Sequence, residues 1–320
     1  MTVPPYTAGL HRVGPHTYAY LQPDGSWGWS NAGLVVDGRA ALLVDTLFTL
    51  PLTERMLRTI AAELPGVEIG TVVNTHDDGD HAFGNQLLPD ARIIASAATA
   101  DHMRRAPSVD HLRDLITRAN AGEDGVVAEF ARDRMGMFDL TGVVSTPPST
   151  IFSGEATVAV GETEVRLIQV GPAHTAGDVL VEVPGDAVLF TGDILFVDAH
   201  PVVHSGPVQR WVAACDVILG LDVQTIVPGH GRIVGKPYVE RFRDYLVRVA
   251  EHAERSLRRG ATVLQAARDF PLADYADWAE AERVVLNLGA AYRDLGGPDV
   301  PENELFAVMA ELWATNRGAR

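Results

Sequence analysis

Residues 75–85 read Thr-His-Asp-Asp-Gly-Asp-His-Ala-Phe-Gly-Asn, and four of them, His76, Asp78, Asp80 and His81, carry side chains that bind divalent metals. Imidazoles and carboxylates crowded into so short a stretch point to a metal site. The preceding run, Ile69-Gly-Thr-Val-Val-Asn-Thr75, is β-branched and bounded by glycine and by the Asp-Asp-Gly turn, so it predicts a buried strand. The ligands then sit on the loop that leaves its end. Gly79 allows a tight turn that aims His76 and Asp78 to one side and Asp80 and His81 to the other, which suits a pair of ions better than one. A zinc ion with an open position takes about three protein ligands, so more must come from elsewhere in the chain.

Three further strand ends carry such residues. Val165–Val170 runs into Gly-Pro-Ala-His174-Thr, Ala187–Phe190 into Thr-Gly-Asp193, and Thr225–Val227 into Pro-Gly-His230-Gly. Each apolar run fixes a position through buried side chains, and each terminal glycine frees the backbone to turn a ligand into a common cleft.

In this order, H-x-D-x-D-H, G-P-x-H-T, G-D-x-L-F and P-G-H-G, the motifs resemble those of the metallo-β-lactamase superfamily over roughly residues 9–235. The resemblance implies an α/β fold, an αββα sandwich with a two-metal site at its edge. It implies that His76, Asp78 and His174 hold one ion, that Asp80, His81 and His230 hold the other, and that Asp193 bridges them. It also gives Asp80 a catalytic role, orienting the nucleophilic water.

Asp78 departs from that pattern, since most of the superfamily has a second His there. Three carboxylates (Asp78, Asp80, Asp193) and one hydroxide balance two divalent ions, where the usual set leaves one positive charge. The extra oxygen ligand moves metal preference from zinc towards iron or manganese, so the expected cofactors are two divalent ions, zinc first and iron or manganese as alternatives. A carboxylate at this position also resembles the flavodiiron branch, which reduces oxygen or nitric oxide; the tail shows no strand-plus-phosphate-loop pattern to supply its flavodoxin-like part.

With 320 residues, the chain has room for one large domain or a domain with an appendage. A formal charge of −16 opposes nucleic-acid binding, which needs basic patches, so a small-molecule substrate is expected. The single Cys215 excludes an internal disulfide and reads as a buried small hydrophobe. With no charged-then-apolar opening and no apolar run near the length of a membrane span, the sequence predicts a cytoplasmic protein with no membrane partner. That disfavours a secreted lactamase.

The elements positioning these residues follow from punctuation and period. Strands are expected over 17–21, 31–46, 92–95, 157–160 and 164–170, and helices over 52–64 and 80–88. A helical insertion fills about 97–150, two or three helices over the site ending at Pro147-Pro148. The paired Trp27 and Trp29 beside Gly28 could cover an apolar substrate as a lid, although Trp beside Gly more often packs on a sheet rim. His200 and His204 follow Asp193 closely enough to border the cleft in a substrate or general-acid role; otherwise they are ordinary core or surface histidines. Asp178 and Thr175 should support the His174 turn, and Gly84 and Asn85 the turn after the metal loop. The chain divides into a metallo-β-lactamase-like domain, 1–235, and a helical C-terminal extension, 236–320, with helical spacing over 238–258, 263–268, 276–295 and 302–315. That extension completes a substrate pocket, forms a homodimer contact or merely caps the sheet.

The function these readings favour is metal-dependent hydrolysis of an ester or thioester with a bulky apolar acyl group. The alternatives are an aromatic polyketide cyclase/thioesterase whose metals stabilise an enolate, a diiron oxygen-reactive protein, and a noncatalytic metal-bound module.

Overall fold

The computed structural model describes residues 4–105 and 109–318; residues 106–108 of the expected insertion and the last two of the expected tail lie outside the described residues. One sheet takes its strands in chain order: β1 (Gly9–Arg12), β2 (Thr17–Leu21), β3 (Ala32–Asp37), β4 (Ala40–Val44), β5 (Glu68–Val73), β6 (Arg92–Ser96) and β7 (Thr150–Phe152). Pairing is antiparallel from β1 to β4 and parallel from β4 to β7. The second sheet contains β8 (Glu155–Val160), β9 (Thr163–Gln169), β10 (Val179–Val183), β11 (Val188–Phe190) and β12 (Thr225–Val227), ordered β12-β11-β10-β9-β8 with β11 and β12 parallel. Short β1, β7 and the fully buried β10 lie outside the runs that sequence periodicity marked.

Side-chain alternation sorts the layers. On β4, Leu42 and Val44 join Val165 and Leu167 of β9 in the core between the sheets, while Ala41 and Leu43 face outward onto α1 (Leu50–Glu63). Each such fully buried Leu or Val contributes about 1.5–3 kcal/mol. Thr49 caps α1 by accepting from the Leu52 amide, with Pro51 in the first turn.

The short α2 (Gly79–Ala82) and then α3 (Ala97–Arg105) leave the ends of β5 and β6. α4 (Val109–Asn120) and α5 (Val126–Met135) form the rest of the insertion and pack with α1 on the first sheet. α6 (Val208–Gly220), α7 (Lys236–Arg258), α8 (Val263–Arg268), α9 (Val284–Asp294) and α10 (Glu302–Gly318) cover the second. The result is an αββα sandwich. The expected helix over 276–295 begins only at Val284. Upstream of it the backbone pairs with another loop, His200 donating to the Ala279 carbonyl and Ala279 to that of Asp198, and Glu280 takes a left-handed conformation at φ 59°. None of the helices among the described residues is long and apolar enough to cross a membrane.

Candidate metal centre

The loops leaving β5, β9, β11 and β12 meet at one edge of the sandwich. The amide of Val179 donates to the Thr75 carbonyl, that of Thr191 to Val227, and that of Gly229 to Gly192. Four histidines, His76, His81, His174 and His230, arrive there by the same device. Each holds its Nδ1 on an outer acceptor and turns its Nε2 inward. His174 donates to the Val202 carbonyl at 2.6 Å and His230 to that of Gly25 at 3.0 Å. His81 Nδ1 donates to Asp45 Oδ2 at 2.9 Å, while His76 Nδ1 reaches Thr75 Oγ1 at 2.9 Å and that hydroxyl donates to the same Asp45 oxygen at 2.7 Å. Asp45, 2% exposed, therefore fastens two of the four imidazoles in one tautomer. Sequence reading missed it; its only local sign is a carboxylate closing the apolar run Ala41–Val44.

The inward atoms form two groups, His76, Asp78, His174 and Asp193, and Asp80, His81 and His230, with the candidate ligand atoms of each group within 4.8 Å of one another. Asp193 touches both. Its Oδ2 lies 3.9 Å from His76 Nε2, 3.5 Å from His174 Nε2 and 3.4 Å from His230 Nε2, and its Oδ1 lies 3.1 Å from His81 Nε2. Asp78 Oδ2 is 3.1 Å from His174 Nε2, and Asp80 Oδ2 is 3.2 Å from His230 Nε2. Nε2 of His76 and of His81 and Oδ1 of Asp193 are buried without a hydrogen-bond partner. Each such orphan costs about 1–3 kcal/mol, a penalty that coordination removes. Two His/Asp clusters sharing a carboxylate fit a dinuclear metal site.

The electrostatics agree. Burial and then the neighbouring His81 push His76 down to about 3. His230 rises to about 9, because Asp193 and Asp80 outweigh the burial that opposes its charge. Burial works against Asp193 and Asp78 too, yet histidines hold both well below the usual carboxylate range, His230 and His81 for Asp193, His204 and His174 for Asp78. Buried imidazoles and carboxylates held against one another in this way are the donors that a divalent ion takes up with release of protons. Two glycines keep the centre open. A Cβ on Gly229 would stand 1.9 Å from Asp193 Oδ1, and one on Gly192, at φ 49°, would stand 2.3 Å from Thr75 Oγ1. Around them Asn85 bonds Asn74, and Asp178 accepts from the amide and hydroxyl of Thr175, as the supporting residues were expected to.

A cavity of about 420 Å³ opens beside this cluster. Asp78, Asp80, His174, Asp193, His204 and His230 line it together with Trp27, Phe48, Phe83, Phe196 and several leucines; of these, Phe196 stacks on the His230 ring at 5.2 Å. Of the paired tryptophans only Trp27 faces it. Trp29 turns the other way around Gly28, at φ 74°, and packs at 5.2 Å on Phe138 in the outer core of the first sheet, which corrects its expected lid role. His204 stands at the cleft, 3.5 Å from Asp78 Oδ2. His200 does not: fully buried, it reaches Tyr245 Oη at 3.0 Å, and burial followed by the charge of Arg283 pushes it down to about 3, so it is a neutral core histidine. Arg283, which also lines the cavity, gave no sign in the sequence.

The Metallo-beta-lactamase superfamily is matched over residues 25–230. Among solved structures, the stereoselective inverting sec-alkylsulfatase Pisa1 from Pseudomonas sp. has a TM-score of 0.67 at 19% identity, over 93% of this chain and 52% of that one. The chain thus spans about half the length of that sulfatase. A metallo-beta-lactamase family protein from Thermus thermophilus follows with 0.61 at 18% identity over 88% and 94% of the two chains. A metallo-beta-lactamase from Pontibacter korlensis has 0.56 at 17% identity over 75% and 99%. Likeness at these identities concerns the fold.

Proposed function

The chain belongs to the metallo-beta-lactamase superfamily, and from that premise we propose that it hydrolyses an ester or thioester carrying a bulky apolar acyl group. One observation carries the reading: one cavity is lined both by members of the His/Asp clusters and by Trp27, Phe48, Phe83 and leucines. Apolar burial contributes about 25 cal/mol per Å², whereas the formal charge of −16 repels a polyanion.

His76, Asp78 and His174 would hold one divalent ion, Asp80, His81 and His230 the other, and Asp193 both. When bound, the pair supplies a water of pKa near 7 and a Lewis acid for the carbonyl. Asp80 faces the cavity with its Oδ2 3.2 Å from His230 Nε2, a position from which its carboxylate orients a nucleophilic water. Asp45 holds His76 and His81 in the tautomer that leaves Nε2 free. The aromatic wall excludes bulk water and seats the acyl group.

A hydrolysis panel tests this: aryl, long-acyl and glutathione thioesters, with a β-lactam, a phosphodiester and a sec-alkyl sulfate as controls. The long-acyl or aryl thioester is turned over best; best turnover of the phosphodiester, the sulfate or the glutathione thioester contradicts the acyl reading. If nothing is cleaved but a poly-β-ketone analogue is cyclised, carbonyl activation stands and hydrolysis falls.

Asp78 is the residue through which we read the metal. As the extra carboxylate of the first group, it favours a harder ion than an all-histidine set does. Asp78→His therefore shifts the metal taken up from an equimolar zinc, manganese and iron mixture towards zinc. Identical metal content in the two proteins contradicts the charge argument.

A further inference from the structure

The apolar lining of the cavity beside the metal clusters is built in part by two regions far apart in sequence. Leu112 and Leu115 come from α4 and Met135 from α5, whereas Leu286 comes from α9 and Phe306 from α10. These regions pack directly on one another. Phe306 and Trp313 of α10 set their rings 5.3 and 5.5 Å from Phe130 of α5, which is fully buried and meets Trp27 edge-on at 6.4 Å. A single buried ring thereby fixes three side chains, two of which, Trp27 and Phe306, face the cavity. Phe306 holds a further distinction: it is the one half-buried apolar side chain, among the described residues, that packs against both helical-layer cores, the one outside the first sheet and the one outside the second. Its ring therefore belongs both to the cavity lining and to the contact between the two layers.

We propose that Phe306 sets the size of the acyl group this site accepts. The inference rests on the hydrolytic reading above and adds its selectivity. An uncharged apolar chain packs against the ring, a shorter one leaves the wall unfilled, and a longer one meets Phe306. One methylene gained or lost in such a pocket changes selectivity about 10–200-fold, so a ring-sized change moves the optimum by several carbons.

Phe306→Ala and Phe306→Trp test this in the metal-loaded full chain, with two readouts. The first is kcat/KM across straight-chain thioesters from butanoyl to hexadecanoyl. The second is the Kd of non-hydrolysable alkyl methyl ketones of the same lengths, which needs no turnover. Phe306→Ala moves both optima to longer chains and weakens the wild-type optimum about 10-fold through KM, with metal content unchanged; Phe306→Trp moves them to shorter chains. If wild type cleaves no thioester while the ketone optima still shift in opposite directions, the hydrolytic reading fails and the size selection stands. Optima that stay in place in both variants, or ketones that do not bind at any length, overturn the inference.

Discussion

Asp193→Ala abolishes hydrolysis, lowering kcat/KM by roughly 10³-fold or more, because a site that stabilises the transition state by several kcal/mol loses the group its two halves share. Its carboxylate lies 3.1 to 3.9 Å from Nε2 of all four histidines. Asp45 reaches both groups only from behind, through Nδ1 of His81 and through Thr75, whereas Asp193 meets the inward Nε2 atoms of both, so metal content should drop below two ions per chain while the fold is kept. Asp193→Asn separates charge from shape: the amide preserves volume and loses the anion, and it should fail almost as badly. Elemental analysis with circular dichroism checks the first point and steady-state kinetics the second. Full activity in either variant would remove Asp193 from the centre.

The largest loss of stability falls at Arg283. The residue is 1% exposed, and its guanidinium stands 2.6 Å from Glu280 Oε2, donates to the His200 carbonyl at 3.1 Å, and lies 4.4 Å from the Trp27 ring centre and 5.6 Å from that of Phe196. Arg283→Ala strands the Glu280 carboxylate, whose affinity for a proton burial already raises against the pull of Arg283. Removing one partner of a buried pair costs about 3–5 kcal/mol. The double variant Arg283→Ala/Glu280→Ala should recover much of that loss, since nothing charged is left unpaired. Denaturant unfolding of the four proteins measures the coupling; an Arg283→Ala variant as stable as wild type, or a double variant worse than the sum of the singles, contradicts it.

The metal-binding loop was legible because its residue types admit little else: four potential ligands, a glycine turn and a preceding β-branched run all agree. The other members of the two clusters were legible for a related reason, each being a His or Asp placed by glycine at the end of an apolar strand. What sequence did not carry is direction and distance. Trp27 and Trp29 share one loop, yet a left-handed Gly28 sends one to the cavity and the other to Phe138. His200 and His204 share another, and only contact with Tyr245 decides that His200 faces the C-terminal helices. Asp45, Arg283 and Phe306 act on residues between 30 and some 250 positions away, and local pattern holds no record of such partners. The segment before Val284 kept helical spacing in its side chains while its backbone paired with the loop around His200.

The central claim is that these seven side chains hold two metal ions. Anomalous diffraction from crystals of the metal-loaded protein, recorded on both sides of the absorption edge, tests it most directly. The account predicts two peaks, one within about 2.0–2.3 Å of ligand atoms of His76, Asp78 and His174, the other equally close to Asp80, His81 and His230, and both against Asp193. No peak at this edge of the sandwich, or a single ion bound away from Asp193, would contradict it.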